Sequence, residues 1–237
     1  MDQNSKLDEL SIIIPIFNEE RNIEKLFTKI NRYLTIKKYE VIFIDDNSKD
    51  NTKKILQNIN KKNKKLKYII RKKKNKDLSK SCIMGFNKSK YKNILVMDGD
   101  FQHDPIYIPK LIKNFDESCS DIVVGCRDLF KKNSQGLSLF RAICSILLIH
   151  LMNICLGKKT ADPMSGFFLF KKKLFLQQKK KLYKKGYKIL ADIIYNSKKN
   201  IKISDIKIRF KKRYSGKSKL NFSVLIYLII FIKSKIV

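Results

Sequence analysis

Two aspartates that stand one residue apart follow an apolar run in a chain otherwise rich in lysine. In the stretch VMDGDFQHDP, Asp98 and Asp100 come directly after Ile94–Met97. Side chains alternate along an extended segment, so the two carboxylates share one side, and Gln102 continues the alternation. Hard oxygen ligands of this kind suit Mg²⁺ or Mn²⁺ when a diphosphate supplies the remaining ligands. We expect these three side chains to bind a divalent cation; a solvated turn hinged at Gly99 is the alternative.

Short apolar runs of β type alternate with helical patterns through the first half of the chain. The predicted strands are Ser11–Phe17, Glu40–Ile44, Leu66–Ile70, Asn93–Met97 and Asp121–Gly125. Helices are predicted between them, over Glu19–Leu34 behind an Asn18 cap, through Ile55–Ile59, and over Ser79–Ser89 and Ile106–Phe115. This alternation predicts parallel β-α-β units in an open α/β sheet.

Polar residues stand at the carboxyl ends of four of these strands. Asn18 and Glu19 follow the first strand, and Asp46 follows the second. Asp98 and its neighbours follow the fourth, and Arg127 follows the fifth. In an open α/β sheet, ligands bind outside the carboxyl ends of the strands. One polar cluster could be an ordinary turn, but four at equivalent ends predict a functional site.

The second half of the chain is less regular. It contains a long apolar helix over Leu137–Leu156, a second predicted helix over Gly186–Lys199 and a strand-like segment over Lys202–Phe210. An apolar tail covers Phe222–Ile232. The tail and the most apolar part of the long helix, Ala142–Leu156, are each shorter than the ~20 residues that cross a bilayer. We expect each of them either at a membrane interface or in a core.

The composition is strongly basic, with 53 Lys and Arg against 21 Asp and Glu and a formal net charge of +32. This excess indicates compositional drift, anionic partners, or both. Lys61–Lys67 and Arg71–Lys76 are expected to be solvated faces, and Lys171–Lys185 is a candidate for contact with an anionic membrane.

Five cysteines without a C-x-x-C pair argue for a reducing compartment and against a zinc site or a disulfide framework. No secretory signal precedes the first predicted strand.

Five motifs in a fixed order resemble those of glycosyltransferase family 2, and more narrowly the dolichyl- or polyprenyl-phosphate mannose synthases. They are SIIIPIFNEE, VIFIDDNSKDNT, VMDGDFQHDP, DPMSGFFLF and KKRYSGKSKL, which together extend from about Leu10 to Leu220. The resemblance implies a Rossmann-like GT-A fold with C-terminal interfacial helices. It implies one domain over residues 1–237, with a nucleotide-sugar half at 10–130, an acceptor half at 131–220 and an apolar tail at 221–237.

The resemblance also implies a role for each matching residue. The donor nucleotide sugar is expected at Pro15, Phe17, Asn18, Glu19, Asp46 and Asp98, and the Mg²⁺ or Mn²⁺ ion at Asp98, Asp100 and Gln102. Arg127 matches an arginine near the phosphates, and the contacts to the acceptor phosphate or diphosphate are Arg127, Arg141, Arg213, Ser218 and Lys219. The catalytic set is Asp100, Arg127 and Arg213, with Asp192 as the base if the acceptor is a hydroxyl.

Four positions depart from the family pattern. Phe17 stands where tyrosine is usual, and Asn51 replaces a glycine. Asp77 replaces another glycine, and Asp192 stands where glutamate is usual. These changes bear on donor identity and rate more than on the fold.

Two further side chains lie inside the motifs. His103 is expected to be a turn residue that helps to shape the metal loop. Asp162 either orients the sugar or the acceptor, or caps a turn.

The chemistry of the motifs favours transfer from a sugar nucleotide. A divalent cation and arginines neutralise a leaving diphosphate, and an ionised phosphate acceptor needs no general base. The expected reaction moves mannose from GDP-mannose to dolichyl or polyprenyl phosphate with inversion. The enzyme is expected to bind peripherally at the cytoplasmic face of a membrane, since the sequence stops at Val237.

Other functions remain open at this point. Within the family they are a UDP-sugar donor of the glucose type, or a glycan acceptor. An inactive membrane-associated scaffold would not need the acids and Arg213 together. A nucleic-acid-binding protein is disfavoured, because no aromatic-interleaved basic patch or known binding motif is present.

Overall fold

The computed structural model describes residues 6–72, 75–127, 149–150, 152–154, 157, 159–183, 186, 188–198 and 200–211. The strands are β1 Glu9–Ile16, β2 Lys38–Asp45, β3 Leu66–Ile70, β4 Asn93–Val96, β5 Ile122–Arg127, β6 Phe168–Lys171 and β7 Ile203–Ile208. The helices are α1 Ile23–Tyr33, α2 Thr52–Lys62, α3 Leu78–Lys88, α4 Ile108–Glu117, α5 Lys172–Gln178 and α6 Ile189–Asn196, with a 3-10 turn at Pro105–Tyr107. These strands form one sheet in the order β3-β2-β1-β4-β6-β5-β7.

The sheet carries a hydrophobic layer on each face. Alternating residues of β1 point to opposite sides, so Ile12 and Ile14 join one layer and Ile13 joins the other. The first layer is covered by α1, α2 and α4, and the second by α3, α5 and α6. Central strands buried on both faces explain why their sequences are continuous apolar runs rather than alternating ones.

The predicted elements of the first half are confirmed, but the start of α1 is not. Asn18 was expected to cap a helix beginning at Glu19; the helix begins at Ile23, with Asn22 as its N-cap residue. Asn18 instead adopts a left-handed backbone with φ of 52°. Its side chain accepts a hydrogen bond from the backbone N–H of Lys49 at 2.9 Å. Asn18 therefore joins two loops at the sheet edge.

The parallel arrangement predicted for β1 to β5 is confirmed, but the sheet is mixed because a strand from the second half of the chain joins it. β6 runs antiparallel to both β4 and β5, and it was not predicted as a strand. Because β6 lies between them, β4 and β5 still point the same way, and β7 is parallel to β5. The carboxyl ends of six strands therefore share one edge, and the loop that leads into β6 reaches the same edge.

The apolar stretches of the second half are described only in part. Within the described residues, no helix is long and apolar enough to cross a membrane. Met152 is fully buried in the second hydrophobic layer, whereas Ile154 is 73% exposed. The predicted tail at Phe222–Ile232 lies outside the described residues.

Candidate active site

The ends of β1, β2 and β4 lie side by side at the carboxyl edge of the sheet. The backbone N–H of Asp46 donates to Ile16 O at 2.9 Å, and that of Met97 donates to Ile13 O at 3.2 Å. Gly99 packs so closely on β1 that a Cβ there would lie 2.5 Å from Cγ2 of Ile16. The turn that carries the two predicted metal-binding aspartates is therefore pressed against the end of β1.

This turn presents its acids in two different environments. The side chain of Asp98 is 33% exposed, and its Oδ2 lies 3.3 Å from Nδ1 of His103. Asp100 is buried, and its Oδ1 accepts a hydrogen bond from the backbone N–H of Gln102 at 3.1 Å. Gln102 donates its Nε2 to the carbonyl of Lys211 at 3.2 Å. Its Oε1 is therefore the end of the amide that can serve as a cation ligand.

The residues present fit a divalent cation that is shared with a diphosphate. Among the described residues, no group of three or more His, Cys, Asp or Glu side chains could hold a metal by itself. Mg²⁺ is commonly bound by one or two carboxylates together with substrate phosphates, and Asp98 and Asp100 supply that number. Gly166 faces the Asp98 carboxylate, since a Cβ at Gly166 would lie 2.7 Å from Oδ2 of Asp98. The backbone of this loop thus limits where the Asp98 carboxylate can sit.

His103 is enclosed beside these acids. Its ring stacks on Phe167 with centroids 5.4 Å apart and meets Phe210 edge-on at 5.4 Å. Burial lowers the pKa of His103 to about 4, helped by the nearby charge of Arg127. The imidazole is therefore neutral near pH 7, and its contacts are those of the loop-shaping residue expected from the sequence.

The predicted donor residues of the first strand line the adjacent part of the edge. Pro15 is buried within β1, and the ring of Phe17 has Nζ of Lys76 3.5 Å from its centroid. The buried carboxylate of Glu19 accepts a hydrogen bond from Nδ2 of Asn22 at 2.6 Å. Pro15 and Phe17 thus flank Ile16, which contacts both Asp46 and Gly99 of the metal-binding turn.

Asp46 is held by a residue that was assigned to a solvated face. Arg71 is only 4% exposed, and its Nη2 forms an ion pair with Oδ1 of Asp46. Oδ2 of Asp46 accepts from the backbone N–H of Asp77 at 2.7 Å. Burial raises the pKa of Asp46, although these two partners oppose the rise. The expectation for Arg71 is therefore corrected: it follows β3 at the same edge as the other polar clusters.

Asp77 has a structural reason to replace the family's glycine. It is the N-cap residue of α3, and its Oδ1 accepts from the backbone N–H of Lys80 at 3.0 Å. The same carboxylate accepts from the backbone N–H of Gly186 at 3.2 Å. Asp77 therefore caps the helix and ties the second half of the chain to it.

Arg127 forms a two-point ion pair with Asp162. Its Nε donates to Oδ2 of Asp162 at 2.7 Å and its Nη2 donates to Oδ1 at 2.9 Å. Burial would lower the pKa of Arg127, but the Asp162 carboxylate raises it. Asp162 lies in the loop before β6, which is fixed by hydrogen bonds from Thr160 and Ala161 to Asp205. Asp162 thus orients the arginine at the end of β5.

Asp192 lies buried in the first turn of α6. Its Oδ2 accepts from the backbone N–H of Tyr183 at 2.6 Å, and its Oδ1 accepts from Nδ2 of Asn196 at 2.9 Å. Burial lowers the pKa of the neighbouring Lys188 to about 7, although Asp192 opposes the shift. These contacts hold the helix in place, and a role for Asp192 as a base stays a prediction.

Four predicted phosphate-binding residues lie outside the described residues. They are Arg141, Arg213, Ser218 and Lys219. Their roles stay predictions.

Comparison with known proteins places this geometry in a family. The family model described as "Glycosyl transferase family 2" matches residues 11–177. A dolichol-phosphate mannosyltransferase of Pyrococcus furiosus is 35% identical over 90% of this chain, which spans 59% of that relative. A dolichol-phosphate mannosyltransferase of Saccharomyces cerevisiae is 28% identical over 92% of the chain and 83% of the relative.

A solved structure confirms the fold. Glucosyl-3-phosphoglycerate synthase from Mycobacterium tuberculosis, in complex with Mn²⁺, UDP and glucosyl-3-phosphoglycerate, superposes with a TM-score of 0.70 at 13% identity. The match covers 97% of this chain and 79% of the synthase. The fold is thus GT-A, as expected. The chain belongs to glycosyl transferase family 2 and is similar to its dolichol-phosphate mannosyltransferases.

Proposed function

We propose that this protein transfers mannose from GDP-mannose to a dolichyl or polyprenyl phosphate, with inversion at the anomeric carbon. One observation carries the proposal of glycosyl transfer. The turn at Asp98 and Asp100 lies against the end of β1, and Asp46 at the end of β2 binds the other side of the same strand end. The choice of mannose and of a lipid phosphate is supported by the names of the relatives in Pyrococcus furiosus and Saccharomyces cerevisiae.

The donor would occupy the carboxyl edge of the sheet. The nucleoside lies near Phe17 and the Asp46–Arg71 pair, and the diphosphate lies at the turn. Asp98, Asp100 and Gln102 would hold Mg²⁺ or Mn²⁺ there, and the bound cation would neutralise charge on the leaving diphosphate. The buried Asp46 and Arg71 present fixed polar groups, so little ordering remains to be done on binding.

The acceptor needs orientation more than deprotonation. A phosphate monoester is already ionised near pH 7, so no general base is required for its attack. His103 is buried and neutral, and Asp192 is bonded to Tyr183 and Asn196, so neither is assigned this role. Arg127 is held rigidly by Asp162 and orients an anionic group near the end of β5. Attack opposite the leaving diphosphate gives inversion.

The acceptor's polyprenyl chain lies in a bilayer, so we propose peripheral binding at a cytoplasmic membrane face. The site edge of the sheet would face that membrane. Lys171 and Lys172, at the start of the basic segment, lie at the opposite edge, where their backbone N–H groups donate to Asp121 and Lys92. These two lysines are therefore removed from the proposed membrane contact.

A donor and acceptor panel tests the proposed function. Purified protein receives radiolabelled GDP-mannose, UDP-glucose or another nucleotide sugar, with short polyprenyl phosphates and with or without Mn²⁺. We expect a lipid-linked product from GDP-mannose that requires the cation. A product from UDP-glucose alone would replace the donor assignment, and no lipid-linked product from any donor would refute the proposal.

A further inference from the structure

The chain that follows β3 folds around the side chain of Asp46. Arg71 is buried, and its Nη2 forms an ion pair with Oδ1 of Asp46 and donates to Asn75 O at 2.7 Å. The backbone N–H of Asp77 donates to Oδ2 of Asp46 at 2.7 Å. Both oxygens of the carboxylate are therefore engaged by one short segment, which holds the carboxylate in one orientation.

The same segment reaches the aromatic side chain at the end of β1. Nζ of Lys76 lies 3.5 Å from the ring centroid of Phe17. Phe17 follows Ile16, whose carbonyl accepts from the backbone N–H of Asp46 at 2.9 Å. Lys76 in turn precedes Asp77, which binds the Asp46 side chain. These contacts form a closed circuit, so a partly exposed aromatic ring and the Asp46 carboxylate lie close together at the carboxyl edge of the sheet.

The charge on Asp46 depends on Arg71. The charged groups on the elements around this carboxylate are Asp45 of β2, Arg71 after β3, and Lys76 and Asp77 before α3. Burial raises the pKa of Asp46 and the Asp77 carboxylate adds to the rise, whereas the backbone N–H of Asp77 and the Arg71 guanidinium oppose it. Without Arg71, Asp46 would bind a proton at a higher pH.

A fixed carboxylate beside an aromatic ring suits a nucleobase with two neighbouring N–H donors. Aromatic rings stack on the face of any base, whereas an ionised carboxylate only accepts hydrogen bonds. Guanine presents N1–H and its 2-amino group side by side. Uracil presents one N–H between two carbonyl oxygens, which a carboxylate repels, and adenine presents a lone pair at N1. The residues around Asp46 therefore favour guanine.

We propose that Arg71 is a positioning residue that keeps Asp46 ionised and oriented to accept hydrogen bonds from guanine, and so sets the choice of donor nucleotide. Asp46 contacts the base, and Arg71 acts through Asp46. This inference rests on the proposed function for the presence of a nucleotide donor. It concerns nucleotide binding alone, so it is tested without an acceptor and without transfer.

Binding of GDP, IDP and UDP in the presence of Mn²⁺, measured by calorimetry at pH 6, 7 and 8, tests the inference. IDP lacks only the 2-amino group, so the ratio of the IDP and GDP dissociation constants isolates one hydrogen bond to Asp46, and any titration of the phosphates cancels. We expect a ratio of about ten in the wild type at each pH, the value for one hydrogen bond to a charged group. UDP should bind less tightly than GDP.

Arg71→Met should lower this ratio to about two at pH 6, where Asp46 then binds a proton, and the ratio should recover towards the wild-type value at pH 8. Arg71→Lys should keep the wild-type ratio at each pH, because it keeps the charge. Lys72→Met, at the exposed neighbouring lysine, is the matched control and should leave the ratio unchanged.

A wild-type ratio at every pH in Arg71→Met would overturn the inference. So would an equal fall at pH 6 and pH 8, since Arg71 would then act through packing rather than through the charge of Asp46. Arg71→Gln, which keeps hydrogen-bond donors without the charge, replaces Arg71→Met if that variant does not fold. Failure of both to fold also overturns the inference, because Arg71 then serves the fold.

The wild type gives two further outcomes. Equal binding of GDP and IDP, or tighter binding of UDP, overturns the inference as well. Absence of any nucleotide binding is a different result, since it would refute the proposed function itself.

Discussion

At the scale of residues, the backbone of Gly166 limits the position of the Asp98 carboxylate. A methyl group at this position would lie 2.7 Å from one carboxylate oxygen and 3.0 Å from the other. The backbone of Gly166 is not left-handed, so alanine brings no strain of its own. The position of the Asp98 carboxylate therefore depends on residue 166 having no side chain. No local sequence pattern connects Gly166 with Asp98.

We expect Gly166→Ala to move the Asp98 carboxylate and to raise the Mn²⁺ concentration needed for half-maximal transfer about tenfold, because a displaced ligand binds the cation less well. The melting temperature should change little, since the crowded atoms belong to a side chain that can move. A Mn²⁺ titration of initial transfer rates measures the effect. An unchanged Mn²⁺ dependence would show that Asp98 does not bind the cation in the assumed position.

Arg127 and Asp162 show how two residues 35 positions apart become one unit. Each was identified in its own motif, but their two-point ion pair was not predicted. A strand end and a loop come together here only because β6 runs antiparallel beside β5. The burial of Arg71 was missed for a related reason. An arginine in a lysine-rich run looks solvent-exposed in the sequence, and only the structure shows its partner Asp46 beside it.

At the scale of elements, the loop before β6 is held on β5 and β7 by its polar contacts. Ser165 Oγ donates to Gly125 O at 2.7 Å, and the Asp162–Arg127 pair adds a largely buried ion pair. Removing one partner of such a pair leaves an uncompensated charge. The loop and β5 should therefore lose stability together.

Asp162→Asn should lower the free energy of unfolding by about 3 kcal/mol, the usual cost of breaking a buried pair. Transfer activity should fall as well, because Arg127 is no longer held in one orientation. Urea denaturation measures the first effect. Glu117→Gln is the control, since it breaks the exposed Lys113–Glu117 pair and should cost less than about 0.5 kcal/mol. Equal losses in the two variants would contradict the importance of the buried pair.

At the scale of the whole molecule, sequence periodicity predicted most elements and the common direction of β1 to β5, but it did not predict β6. The runs of β1 to β5 and the helices between them were recognised because each has a strong local pattern. No local sequence pattern indicates the direction of β6, because four apolar residues fit a parallel or an antiparallel strand equally well. The edge that carries the site was nevertheless predicted, since the polar ends of β1, β2, β4 and β5 do share it.

The stability of the whole fold should depend on pH through Lys188. This side chain is 2% exposed, and burial lowers its pKa from 10.5 to about 7. Between these values the unfolded chain binds a proton that the folded chain does not, so stability rises with pH. Below about pH 7, Lys188 is charged in the folded state as well, and the full cost of burying that charge lowers the free energy of unfolding.

Lys188→Met should therefore stabilise the protein most at pH 6–7, and the gain should shrink as pH rises to 9, because the wild-type lysine is then neutral. Urea unfolding at pH 6, 7, 8 and 9 measures the difference between the two proteins. Lys173→Met, at an exposed lysine of α5, is the control and should show a difference that does not vary with pH. A constant gain for Lys188→Met would show that Lys188 keeps an ordinary pKa.

The central claim is that the turn at Asp98 and Asp100 binds the cation that permits glycosyl transfer. Asp100→Asn tests it most directly, because asparagine keeps an acceptor oxygen for the backbone N–H of Gln102 and removes only the charge. The measurement is Mn²⁺-dependent transfer from GDP-mannose to polyprenyl phosphate, beside Asp8→Asn at an exposed position. We predict a loss of at least about 100-fold in Asp100→Asn, as expected for removing transition-state charge stabilisation, with an unchanged melting temperature. Transfer at the wild-type rate by a folded Asp100→Asn protein would contradict the account.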